Sequence, residues 1–438
     1  MRTLAEWLSL QESVHPQSID MGLERVSHVA AALGVAAPAF PVITVAGTNG
    51  KGSVVAHLEA LLTALGARTG TFTSPHLIRY NERIRVAGRE VSDAELIAVF
   101  EQIEAARGTT TLTFFEYNTL AALAIFTRAR VDVAVLEVGL GGRLDATNLV
   151  AADAAVLASV GFDHREWLGD TLELIGAEKA GIFRAGHPAV LGTPQMPATV
   201  YEAISRLAAR AVVAERDFSW QIRDTGWDYH GLALRLESLP PSSLAGAIQY
   251  RNAATAIAAL ESLCSRESAR PAVQALATRL AVLDRPTVAA ALERVHLPGR
   301  FQIIPGKVEW ILDIAHNEPA ARMLAAQLRE RPLPQKAAGA ARTFAVIGVL
   351  ADKDAAAIGA ALAEVIDQWI VCTLPGPRGT SATELAARLV PRAAPSELAD
   401  SVVAGCALAR AQAQPGDRVV VCGSVYTVGP ALTWLRVY

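Results

Sequence analysis

Short runs of β-branched and other apolar residues alternate along the chain with longer segments of helical period. Runs at residues 42–46, 131–138 and 154–160 open the series, and runs at 308–314, 343–349, 369–373 and 418–422 close it. Apolar runs of this length predict strands, and the Ala- and Leu-rich segments 54–65, 354–365 and 381–389 predict helices between them. Strands joined through helical crossovers run parallel, and helices on both faces explain why the runs are apolar throughout instead of alternating. The fold class read from this pattern is α/β.

Strand and helix signals begin afresh after Leu297-Pro298-Gly299-Arg300, which places a domain boundary between residues 1–296 and 297–438. The first part is large for one sheet and is expected to carry inserted strands. Residues 234–238, beside the polar region 220–230, are expected as an antiparallel addition. A length of 438 residues fits two or three domains. The 40 Lys and Arg against 43 Asp and Glu give a net charge of −3, which argues against a bulk electrostatic grip on nucleic acid. An anionic substrate would need a local positive site.

Although 52% of residues are hydrophobic, the longest apolar stretch, 29–43, is broken by Pro38 and Pro41. It stops short of the roughly 18 residues that span a bilayer, so no membrane partner is expected. Glu6 stands where a signal peptide would have its apolar region. Cys264, Cys372, Cys406 and Cys422 form no CxxC pair, so neither a disulfide framework nor a zinc site is suggested. A cytoplasmic protein is expected.

The strand at 42–46 runs into Gly47-Thr48-Asn49-Gly50-Lys51-Gly52-Ser53 and then a helix. Glycines let backbone amides approach phosphates, the helix N-terminus faces them, and Lys51 adds a mobile positive charge. The order suits a nucleotide triphosphate. It is a variant of GxxxxGK[ST], because Val45 takes the first glycine position and Gly52 separates Lys51 from Ser53. The bland alternative is a tight turn with a solvated lysine.

Glu137 closes the run 131–138 before a glycine-rich loop, at the sheet edge where open α/β folds bind ligands. A carboxylate there can hold Mg²⁺ against nucleotide phosphates, since the ion prefers hard oxygen donors. Gly161-Phe162-Asp163-His164 follows the next run; a lone histidine is more often structural than a ligand. In Thr73-Ser74-Pro75 the proline favours an extended Ser74 with its hydroxyl available to a metal or ligand. Lys179 carries no signal of its own beyond a solvated lysine or an ion pair.

Taken together, residues 47–53, 73–77, 137–148, 161–164, 178–184, 298–300 and 313–317 resemble the folylpolyglutamate synthase and dihydrofolate synthase family, a branch of the Mur-type amide ligases. The match runs in order over nearly the whole chain. It implies a P-loop-type parallel-sheet domain, 1–296, that binds ATP and pteroate, and a smaller Rossmann-like α/β glutamate-ligase domain, 297–438. By the same resemblance, Gly50, Lys51, Gly52, Ser53, Asn252, Arg300 and Asp313 bind ATP, and Ser74, Glu137 and His164 hold Mg²⁺. Lys51, Lys179 and His316 are the implied catalytic residues, with Lys179 matching a lysine that becomes carbamylated. Thr113, Phe114, Phe115 and Glu116, together with Leu144, Asp145 and Ala146, match the pteroate pocket. Phe114 and Phe115 are adjacent, so at most one is expected to face it.

The implied reaction is ATP-dependent amide ligation. The substrate carboxylate attacks the γ-phosphorus to give an acyl phosphate and ADP, and the amine of L-glutamate then expels phosphate. Contacts to ATP are expected from both domains, which keep water from the acyl phosphate. The phosphate loop begins too early in the chain for the extra N-terminal domain of muramyl-peptide ligases. Phe114-Phe115-Glu116-Tyr117 looks more like the bifunctional bacterial enzymes, so dihydropteroate and reduced folates are both expected as substrates. The alternatives are a folylpolyglutamate synthase alone, or a nucleotide-dependent regulatory protein that forms no amide bond. A monomer is expected from the resemblance.

Overall fold

The computed structural model describes residues 2–17, 19–264, 270–333, 340–389 and 396–438, with the side chain of Cys264 outside that description. The chain divides into two compact units, Met1–Ser243 with Ile248–Val295, and Leu244–Ala247 with His296–Tyr438.

In the first unit an eight-stranded sheet has the order Arg89–Glu90, Ile84–Val86, Thr69–Phe72, Val133–Glu137, Val42–Ala46, Ala154–Leu157, Pro188–Leu191, Arg210–Val213. The six strands from Thr69–Phe72 to Arg210–Val213 are parallel, and the first two form an antiparallel edge. Every residue of Val42–Ala46 and Val133–Glu137 is buried, which is why these runs show no alternation. One face packs Ile43, Val45 and Val135 against Val54 and Leu58 of helix Lys51–Ala64 and Ile257 of helix Ile248–Cys264. The other face packs Phe72, Leu136 and Val42 against Leu120 and Phe126 of helix Phe114–Ala129. At about 1.5–3 kcal/mol for each large apolar side chain removed from water, these two layers hold the sheet. Strands are added on both sides of Val42–Ala46, so the open crevice lies at its C-terminal end, where Gly47 begins.

The expected antiparallel strand is present at Arg235–Leu239, but in a separate three-stranded sheet with Gly226–His230 and Ser219–Arg223. A register shift between Trp227 and Tyr229 breaks the two-residue period, which is why the sequence pattern was faint there. Trp227, Tyr229 and Leu239 join the core around helix Ile248–Cys264.

The second unit is a six-stranded sheet ordered Gln302–Ile304, Glu309–Asp313, Arg418–Cys422, Thr343–Ile347, Gln368–Cys372, Ser396–Ala399, parallel except for the first. Cys372, Cys406 and Cys422 are buried free thiols in it.

Candidate active site

The run expected as strand through residue 160 ends at Leu157 because the next residues bind the phosphate loop instead. The Thr48 amide donates to the Ser159 carbonyl at 2.9 Å, and the Thr48 hydroxyl both donates to the Gly161 carbonyl and accepts its amide, each at 3.0 Å. The Ser159 hydroxyl accepts from the Asn49 amide and donates to the Asn49 carbonyl. Gly50 then turns the chain into the helix at φ 88°, a left-handed conformation that glycine adopts without strain. Gly50 at the N-cap brings no side chain to cap this helix, so the first-turn amides of Lys51–Ala64 suit an anionic ligand. The Lys51 ammonium folds back to donate to the carbonyls of Gly47 at 2.9 Å and Thr48 at 3.3 Å. Asn252, on helix Ile248–Cys264, reaches the same loop: a Cβ on Gly50 would stand 3.2 Å from its Oδ1. Its amide nitrogen donates to Gln249.

Glu137 is buried at the end of its strand and accepts the Ser74 amide at 3.3 Å. Two of the three expected metal ligands therefore meet. His164 follows strand Ala154–Leu157, on the other side of Val42–Ala46, at φ 49°, with its amide donating to Asp163 at 2.9 Å. Carboxylate, hydroxyl and imidazole donors at the ends of strands Val133–Glu137, Thr69–Phe72 and Ala154–Leu157 of one sheet fit a hard divalent ion, and the buried position of Glu137 is suited to one that offsets its charge.

Lys179 is buried on helix Leu172–Ala180. Burial pushes its amine down to about 7, the charge of Lys51 pushes the same way, and Asp163 and Asp145 oppose. These four side chains thus share one electrostatic environment. The loop after Glu137 is locked onto this helix: the Arg143 amide donates to the Glu178 carbonyl at 2.8 Å, and its guanidinium pairs with the Glu178 carboxylate. A Cβ at Gly142 would lie 2.8 Å from the Lys179 carbonyl, so only glycine permits this approach.

The residues expected around pteroate fall in two neighbouring places. Thr113 caps helix Phe114–Ala129 and exchanges hydrogen bonds with Glu116 in a capping box. The Phe115 ring packs on Phe72 and covers Gly139, where a Cβ would stand 2.6 Å from it. Phe114 turns elsewhere, edge-on to Tyr80 and under the Arg83 guanidinium. In the loop Leu144 is half-buried and Ala146 buried. Both oxygens of Asp145 are taken by its own loop, Oδ2 by the amides of Gly139 and Leu140 and Oδ1 by Thr147. Glu116 meets Arg25 at 3.3 Å, and Arg25 also donates to Asp20. Met21 lies against the loop, 3.6 Å from where a Gly141 Cβ would be. The segment 20–25 carries no signal in the sequence, because an ion-paired arginine inside a polar stretch has no periodic signature.

In the second unit Asp313 ends its strand and accepts the amides of Phe301 and Ala315, each at 2.8 Å. Burial raises its carboxyl above the usual range, and Arg300, those amides and His316 oppose the rise. Asp313 thus holds the turn that carries Arg300. The His316 Nδ1 donates to the Ile314 carbonyl at 2.9 Å, which fixes the ring's tautomer and its orientation at the strand end.

Two family descriptions match the chain: the Mur ligase middle domain over residues 45–260 and the Mur ligase glutamate ligase domain over residues 299–425. The dihydrofolate synthase/folylpolyglutamate synthase of Escherichia coli K12 is 44% identical over 97% of this chain and 94% of its own length. Among solved structures, E. coli FolC in complex with DHPP and ADP superposes with TM-score 0.89 at 42% identity, covering 99% of this chain and 98% of that one. A bifunctional folylpolyglutamate synthase/dihydrofolate synthase with Mn, AMPPNP and L-glutamate bound gives TM-score 0.87 at 40% identity, covering 100% and 99%.

Proposed function

Because the chain belongs to the folylpolyglutamate synthase and dihydrofolate synthase family of Mur-type amide ligases, we propose that it joins L-glutamate to dihydropteroate and to the γ-carboxyl of tetrahydrofolate glutamates. The observation that carries this reading is the phosphate loop: an uncapped helix N-terminus with Lys51 folded over it, next to the strand ends of Glu137 and His164.

In this reading the amides of Gly50, Lys51, Gly52 and Ser53 receive the phosphates of ATP, with Asn252 beside them. Arg300 and Asp313, of the second unit, are proposed as further nucleotide-binding residues, and His316 as a further catalytic residue. The substrate carboxylate attacks the γ-phosphorus; the acyl phosphate forms as the bond to ADP breaks. The glutamate amine then attacks the acyl carbon, loses a proton and expels phosphate. Lys51 and Arg300 offset charge that develops on the phosphoryl oxygens, and holding the reactants together lowers the entropic barrier. Ser74, Glu137 and His164 would hold Mg²⁺, whose contribution is to neutralise phosphate charge; relatives bind Mn with an ATP analogue.

An amine near 7 is substantially neutral at physiological pH and can add to CO₂, so Lys179 is proposed to carry a carbamate. The pteroate pocket is proposed between the start of helix Phe114–Ala129 and residues 144–146, with Phe115 as the ring on the pocket side. With both oxygens of Asp145 and Oε2 of Glu116 already bonded, backbone groups and Oε1 of Glu116 are left to fix the polar edge of a pterin. The proposed setting is the cytoplasm, as a monomer; among the described residues no helix is long and apolar enough to cross a membrane.

The test is ADP release from Mg²⁺-ATP with glutamate and either dihydropteroate, tetrahydrofolate or no pterin. Release with both pterins supports the proposal, and release with tetrahydrofolate alone restricts it to a polyglutamate synthase. Release indifferent to pterin and glutamate would point to a nucleotide-dependent regulator and overturn it.

A further inference from the structure

Helix Ile248–Cys264 delivers a second polar side chain to the phosphate loop besides Asn252. A Cβ on Gly50 would lie 3.9 Å from Nη2 of Arg251, so the guanidinium stands against the turn at which the helix N-terminus opens. Arg251 is only partly exposed. Among the described residues its guanidinium makes no hydrogen bond and no ion pair, and the only acidic residue acting on it, through space, is Glu215. Its backbone carbonyl is occupied by the Thr255 hydroxyl and does not bear on the charge.

This contrasts with three other arginines of the unit, while Arg184, which meets no carboxylate among the described residues, is held by the carbonyls of Gly181, Phe183 and Asn148. Arg143 pairs with Glu178, Arg85 with Glu59 and Arg270 with Asp153. Removing a guanidinium from water without a partner is unfavourable, and burial accordingly pushes the Arg251 side chain below the ordinary arginine range. A cation kept at such a cost against the Gly50 turn, at a helix N-terminus whose cap residue brings no side chain, is matched by an anion that arrives with the ligand. The planar fork of a guanidinium fits two oxygens of a phosphate at once, which an ammonium such as Lys51 does not.

We infer that Arg251 is a further nucleotide-contacting residue, its guanidinium meeting the polyphosphate of ATP on the Gly50 loop. The inference rests on the proposed reading of that loop as the ATP site.

The test compares full-length wild type, Arg251→Gln and Arg251→Lys by calorimetric titration with ATP and with adenosine, at two salt concentrations. Arg251→Gln is expected to weaken ATP about ten-fold or more, to leave adenosine unchanged and to flatten the salt dependence. Arg251→Lys should recover part of the ATP affinity. Equal ATP affinity in wild type and Arg251→Gln would overturn the inference, as would equal losses for ATP and adenosine, which mark a base contact or a general disturbance. Should Arg251→Gln not fold, unaltered ATP affinity and salt dependence in Arg251→Lys would overturn it, and a loss confined to ATP would support it. Wild type that binds no ATP would instead remove the reading of the loop itself.

Discussion

The Oδ1 atom of Asn252 lies 3.2 Å from where a Cβ on Gly50 would be, so the phosphate loop and the helix from Ile248 to Cys264 are fitted to each other at a residue without a side chain. Gly50 also holds φ 88°, which costs any other residue about 1–2 kcal/mol. Gly50→Ala should therefore lower stability by roughly that amount in thermal or urea unfolding, and weaken ATP binding more than it weakens folding. An alanine variant with unchanged ATP affinity would show that the turn does not shape the site.

Lys51 makes two hydrogen bonds to its own loop, at the edge of the core. Lys51→Ala should leave the unfolding midpoint nearly unchanged while reducing turnover by about 100-fold or more. Full activity with native stability would remove the phosphate role.

Glu137 and Ser74 meet through a backbone amide, and the carboxylate faces the sheet edge. Glu137→Ala should raise the Mg²⁺ concentration needed for half-maximal turnover by more than about ten-fold. A superimposable Mg²⁺ titration would take Glu137 out of the ligand set.

For Lys179 the sign follows from its lowered amine, about 7 in the folded chain against 10.5 ordinarily. Between those values the unfolded chain holds the proton and the folded chain does not, so this residue makes stability rise with pH across that window. Below about 7 both states are protonated and the full penalty of burying the charge remains. In CO₂-free buffer the stability of wild type relative to Lys179→Met should climb from pH 7 to pH 10. A carbon-13 signal from labelled bicarbonate should grow as pH rises through about 7, level off about a unit above it in wild type, and be absent from the variant. No signal at any pH would exclude the carbamate.

The parallel sheets were legible because buried strands such as Val42–Ala46 and Arg418–Cys422 are unbroken apolar runs whose ends glycine or charge marks. Their C-terminal ends were read too long wherever the last residues serve a loop, as Ser159 does for Asn49. Phosphate-loop residues were visible because glycine and lysine there have few structural substitutes. Arg251 and Arg25 were not, since an arginine's partner, or its lack of one, is set by residues distant in the chain. Lys179 could be named only through family resemblance, and its meaning came from burial beside Lys51, which no spacing encodes.

The central claim is ligation through an acyl phosphate. Its most direct test supplies dihydropteroate, and separately tetrahydrofolate, labelled with oxygen-18 in the reacting carboxylate, with Mg²⁺-ATP and L-glutamate, and records the masses of all products. A gain of one glutamyl unit on each pterin with one labelled oxygen carried into the released phosphate is the predicted result. Unlabelled phosphate, or ADP formed with no glutamyl gain on either pterin, would contradict it.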